Sequence, residues 1–160
     1  MRQFLFEWNG AETLRSILEV PFHRISMRLH AGRPDMPNVV TFWRSDSSWL
    51  QVHSVMHDIS DRLEVGVLTF EIGRAEPMNE EAVVDIRPSP FAPADIKKLI
   101  IRDEDVIAES GIKLSTKDGN VITVAAAAFP CTLAIAGVSD EIENIFTTEY
   151  DIDKYQEISL

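Results

Sequence analysis

His53, His57 and Asp58 are the residues of this chain whose types and spacing come nearest to a reactive centre. On a helix, side chains four positions apart lie one above the other. Both imidazoles would then reach one zinc ion, with a carboxylate completing its shell. On a strand the same spacing covers about 13 Å and shared ligation fails. The helical motif of zinc hydrolases also carries Glu directly after its first His, and here Ser54 holds that position. A metal-assisted hydrolase built on His53 and His57 is thus one functional reading, and it depends on residues 48–63 being helical.

Other chemistries find less support. Cys131 sits in Phe129-Pro130-Cys131-Thr132-Leu133, an apolar setting that predicts a buried, inert thiol. As the only cysteine it has no disulfide partner within the chain, which fits a reducing, cytoplasmic setting. No Ser lies in a Gly-x-Ser-x-Gly elbow, and the seven glycines form no phosphate-binding loop. His23 and His30 fall on opposite faces of a predicted strand and make no local pair. No motif calls for a cofactor, so none is expected and no catalytic residue is assigned.

Charge is the strongest signal that remains. Residues 1–75 hold nine Asp/Glu against eight Lys/Arg, a net of −1, whereas residues 76–160 hold seventeen against seven, a net of −10. An acidic half repels nucleic acid and anionic lipid, so neither is an expected partner, and it attracts basic proteins. The acids gather at Glu80-Glu81, at Asp103-Glu104-Asp105, at Asp140-Glu141 with Glu143, and at Glu149, Asp151 and Asp153. None of these follows the calcium-loop pattern. Asp103, Glu104 and Asp105 are the candidate partner-binding residues. The most direct reading is a non-enzymatic protein-binding module that covers a basic surface, as an immunity protein masks a nuclease toxin. Association of the chain with copies of itself is compatible with the same composition.

The elements that must position these residues read mainly as strands. The length of 160 residues and the apolar share of 45% suit one globular domain. Apolar runs bounded by turn residues predict strands at 3–8, 22–30, 39–43, 63–72, 82–86, 96–102, 106–115, 121–127 and 132–136. Asp118-Gly119 predicts a hairpin turn with Gly119 at positive φ. A short helix is allowed at 11–19. Residues 48–63 fit both periods: Trp49, Val52, Met56, Ile59 and Leu63 make a helical stripe, while Leu50, Val52 and Met56 share one face of a strand. Four prolines between 76 and 94 mark a crossover or linker. Residues 121–138 carry no charge for eighteen positions, but Pro130 interrupts them and a third of them are Ala, which favours two buried strands over a membrane span. The expected fold is a single antiparallel β domain, a sandwich or partly open barrel with one or two short helices.

The segments Glu109-Ser110-Gly111-Ile112 to Asp118-Gly119, Ala128-Phe129-Pro130 with Thr132-Leu133-Ala134-Ile135, Met56-His57-Asp58, Glu64-Val65-Gly66-Val67-Leu68 and Glu149-Tyr150 to Tyr155 resemble a family of small bacterial proteins. That resemblance implies a bacterial source and one domain over the whole chain, and it implies no activity.

Overall fold

A computed structural model describes residues 1–9, 14–61, 63–74, 82–87, 89–103, 105–138 and 147–160. Twelve strands are described: β1 (Arg2–Phe4), β2 (Glu7–Asn9), β3 (Phe22–His30), β4 (Arg33–Arg44), β5 (Trp49–Ser60), β6 (Leu63–Gly73), β7 (Ala82–Asp85), β8 (Asp95–Asp103), β9 (Val106–Ser115), β10 (Val121–Ala126), β11 (Leu133–Ala136) and β12 (Gln156–Ser159). Helical turns among the described residues are confined to the 3₁₀ segments Leu14–Glu19 and Ile152–Lys154. The chain is therefore mainly β, as its alternating apolar runs require.

The strands form two six-stranded sheets. One runs β2-β6-β5-β4-β3-β7, and the other runs β11-β10-β9-β8-β12 with β1 beside β9. Every pairing is antiparallel except the two made by the N-terminus, where β1 lies parallel to β9 and β2 parallel to β6. One short segment thus crosses between the sheets. The backbone N–H of Phe6 at that crossing donates to Glu109 Oε2 at 2.7 Å, and Lys98 neutralises the same carboxylate. Phe6 meets Phe70 edge-on, with ring centroids 5.1 Å apart.

The inner faces enclose one continuous core. Ile25, Met27, Val40, Phe42, Leu50, Val52, Leu68 and Phe70 come from the first sheet, and Ile96, Ile112, Leu114, Ile122, Val124, Leu133 and Ile135 from the second. Both halves of the sequence feed it. Residues 75–81 and 88 lie outside the described residues, but described parts of the Pro-rich stretch are pinned to the body. Ile86 and Phe91 are buried in the core, and Phe91 exchanges backbone hydrogen bonds with Phe22 at 2.7 and 2.8 Å. The charge-free stretch 121–138 forms β10, a turn and β11 on this core. No described helix is long and apolar enough to cross a membrane.

The ambiguous segment 48–63 is a strand, β5, paired along its length with β6 and over Trp49–His53 with β4. This overturns the helical alternative. The long ladder with β6 satisfies its backbone groups, and the helical stripe divides between the two faces of the strand. The Asp118-Gly119 turn is present within a five-residue connection. Gly119 has φ +86° and donates its N–H to Thr116 O, and β9 pairs with β10 from Ser115↔Val121 to Gly111↔Ala125.

Candidate binding surface

The three residues that opened the metal reading are not brought together. On β5 His53 and His57 share a face but stand about 13 Å apart along the strand. Asp58 points to the opposite face. His53 is half-buried. Burial, and secondarily the Arg28 charge, push its imidazole below the usual pKa. His57 lies 3.6 Å from a Glu7 carboxylate oxygen and against the Phe4 ring, with centroids 5.1 Å apart. Among the described residues no group of three His, Cys, Asp or Glu side chains is placed to hold a metal ion.

Cys131 is not the buried thiol that its neighbours suggested. It is exposed, at φ +59°, in the turn between β10 and β11. It lines a shallow cleft of about 360 Å³ with Arg28, Asn38, His53 and Glu71. The turn exposes Pro130 along with Cys131 and leaves Phe129 half-buried, and burial resumes only at Thr132 and Leu133.

Acidic residues do converge, in a pattern that no linear window shows. The β8–β9 turn carries the exposed Asp103 and Asp105; Glu104 lies outside the described residues. The β5–β6 turn beside it carries Asp58, Asp61 and Glu64. Arg2 ties the two turns: its backbone N–H donates to Asp105 O at 2.7 Å and its Nη2 to Ile59 O at 2.5 Å. Tyr150 packs against the Val65, Val67 and Ala108 cluster, as Ile59 does, and against the cluster of Leu99, Ile101 and Tyr155. It thereby places Glu149, Asp151 and Asp153 at the same end of the sandwich. Ile101, Arg102, Asp103, Tyr150 and Lys154 line a groove of about 320 Å³ there.

Elsewhere the acids are mixed: among the described residues Glu19, Glu71, Asp95 and Asp118 form no ion pair, while others are paired. Asp35, Asp46, Asp85, Glu109 and Glu157 each pair with Arg or Lys. Among the described residues, Asp58, Asp61, Glu64, Asp103, Asp105, Asp151 and Asp153 form no ion pair. Asp58 even sits directly opposite Glu64 in the ladder, a like-charge pairing that costs stability. Glu149 is the most constrained member. Its Oε2 accepts the Gly66 N–H at 2.9 Å. Burial raises its pKa to about 6; the Gly66 hydrogen bond opposes that rise and the Glu64 charge adds to it. Burial, then Glu149 and Asp103, also raises the Tyr150 phenol. Burial takes Tyr155 up to about 12.

Local composition pointed to Asp103, Glu104 and Asp105 but missed Asp58, Asp61 and Glu64, which fall in the nearly neutral first half. No family model, curated protein or solved structure matches this chain.

Proposed function

We propose that the protein is a binding module whose acidic end docks a basic protein. The observation that carries this reading is the convergence of unpaired acids from the β5–β6 turn, the β8–β9 turn and residues 149–153, including the Asp58↔Glu64 pair that costs stability in the free chain. Repulsion retained at one end is relieved when a cationic surface arrives, and it speeds the approach of that surface. A basic nuclease masked by an immunity-type protein is one partner of the right chemistry, and a bacterial cytoplasm is the setting in which we place it. The groove beside Tyr150 offers an aromatic wall to the aliphatic stem of an incoming Lys or Arg.

The test is titration of isotope-labelled protein with an oligo-lysine peptide and with basic proteins purified from the host. Amide shifts should concentrate at 58–64, 103–106 and 149–154. Affinity should fall as salt shortens the screening length towards about 3 Å at 1 M. The double change Asp103→Lys and Asp105→Lys should abolish it. Shifts scattered over the surface, or an affinity indifferent to both salt and charge reversal, would refute the proposal.

A further inference from the structure

The acidic end is fastened to the body through the carboxylate of Glu149. Gly66 lies where β6 has no strand on the side away from β5, because β2 pairs only with Thr69–Glu71 further along. Side chains replace the missing strand. Ser110 Oγ donates to Gly66 O at 2.6 Å, and Glu149 accepts the Gly66 N–H. On the other side the Glu149 N–H donates to Ala126 O at 3.1 Å and Ala128 N–H donates to Thr147 O at 3.1 Å, so residues 147–149 also lie against the end of β10. Tyr150 N–H donates to the Tyr155 hydroxyl at 3.3 Å, which closes the segment on itself.

We propose that residues 147–155 are a proton-responsive strap. Proton uptake by Glu149 tightens the strap on β6 and removes one negative charge from the acidic end, and proton loss loosens the strap and restores that charge for a basic partner. The regulatory half of this proposal rests on the partner-binding reading above; the strap itself does not.

The groups around the carboxylate determine the direction. Glu64 faces it from β6, with Asp58 of β5 opposite Glu64 in the ladder. β5 also contributes the Ser54 hydroxyl, which is buried, has no hydrogen-bond partner, and lies against the same point of Gly66. β9 contributes Ser110 and β10 contributes Ala126, neither of them charged. Asp103 of β8 acts on the neighbouring Tyr150, and within the strap the phenols of Tyr150 and Tyr155 feel the Glu149 charge. Among the described residues no cation is paired with Glu149.

Docked, the carboxyl titrates at about 6, against an ordinary value of 4.5. A group whose docked pKa is raised stabilises the docked state fully below its free value and loses that contribution as pH rises through the docked value. The strap is accordingly tightest below about pH 4.5 and loosens through about pH 6. The full effect on the docking equilibrium is about 30-fold, reduced to roughly ten-fold by solvent at the partly exposed carboxylate.

Amide hydrogen exchange of the protein alone, at about pH 5 and about pH 7.5 and normalised for intrinsic rates, tests the strap. Protection of the Gly66 and Glu149 amides should be roughly three-fold lower at the higher pH, since pH 5 captures only part of the full effect. Glu149→Gln, which still offers an oxygen to Gly66, should hold the same protection at both. Equal protection in the native chain, or an unchanged pH response in Glu149→Gln, overturns the strap. Binding of the oligo-lysine peptide, measured in parallel, should strengthen as pH rises through about 6 in the native chain and not in Glu149→Gln. Exchange that titrates while the peptide ignores the acidic end would retain the strap and reject the partner reading. Binding at that end with flat exchange would reject the strap alone.

Discussion

Changing Gly66 to Ala tests how the two sheets close on each other. A methyl group at that position would lie 2.5 Å from the Ala126 Cβ, 3.0 Å from Ser54 Oγ and 3.3 Å from Glu149 Oε2. Carbon atoms pack at about 3.5–4.0 Å, so the first contact is short by about 1 Å. Both atoms in it are β-carbons fixed to the backbone, so no rotamer relieves it and β6 must move away from β10. Overpacking of this kind costs about 1–3 kcal/mol, and the upper end applies because the displacement also stretches the bonds that Ser110 and Glu149 make to Gly66. Urea unfolding followed by tryptophan fluorescence should show a loss of about 3 kcal/mol at an unchanged m value, a large fraction of the 5–15 kcal/mol that holds a typical domain. Ala126→Gly removes the opposing methyl. Introduced into the Gly66→Ala background it should restore more than about 1 kcal/mol, although alone it destabilises a strand by about 0.5–1 kcal/mol. A Gly66→Ala protein within about 0.5 kcal/mol of the native chain, or a second change that adds its cost without rescue, would refute this account of the closure.

Three further outcomes follow from single residues. Gly119→Val should lower stability by about 1 kcal/mol and shift the melting temperature downwards: φ is +86° but no atom lies within 4 Å of the new Cβ, so backbone strain is the whole effect. Cys131 is exposed, so a thiol reagent should label it in the native protein as fast as in urea; labelling only on unfolding would contradict its placement in the β10–β11 turn. Asp58→Asn should stabilise the free protein by about 0.2–1 kcal/mol in thermal unfolding, through relief of the Asp58↔Glu64 repulsion, while weakening capture of a basic partner; a variant that loses stability would remove the argument from retained repulsion.

Strand identity was legible because alternation and turn residues are local properties, and the Asp118-Gly119 connection shows how far they reach. Pairing was less legible. Residues 3–8 read as one strand but divide between two sheets, since the chain can cross from β9 to β6 only by breaking at Leu5 and Phe6. Strict alternation along 22–30 would put Phe22 on the side of Arg24, Ser26 and Arg28, whereas an irregularity between Phe22 and Arg24 returns Phe22 to the core with Ile25 and Met27. The helical stripe in 48–63 failed for a tertiary reason. Its apolar residues satisfy either period, and the available edges of β4 and β6 decide between them. Cys131 failed in the same way, because an apolar neighbourhood in sequence does not state which member the turn expels.

The acidic surface shows most clearly what a linear reading can and cannot carry. The second half of the chain holds nearly all of the net charge, yet Glu109 is neutralised by Lys98, and Glu157 bridges Lys97 and Lys113 at 3.2 and 2.6 Å. Those acids stabilise the sheet locally and attract nothing from outside. The first half is almost neutral overall, yet it supplies Asp58, Asp61 and Glu64 to the end where acids outnumber the nearby Arg2, Arg102 and Lys154. Net charge per segment therefore describes the folded surface imprecisely, because folding pairs some charges and gathers others. What marks this end is the company of its acids: turns that need no charge carry it, a ladder pair repels, and one carboxylate is drawn inward to hold the chain. An acidic coat that served solubility alone would be served as well by carboxylates spread evenly over both sheets. Concentrating them beside an aromatic groove raises the energy of the free protein at one place, and on the binding proposal a cationic partner arriving at that place would lower it again.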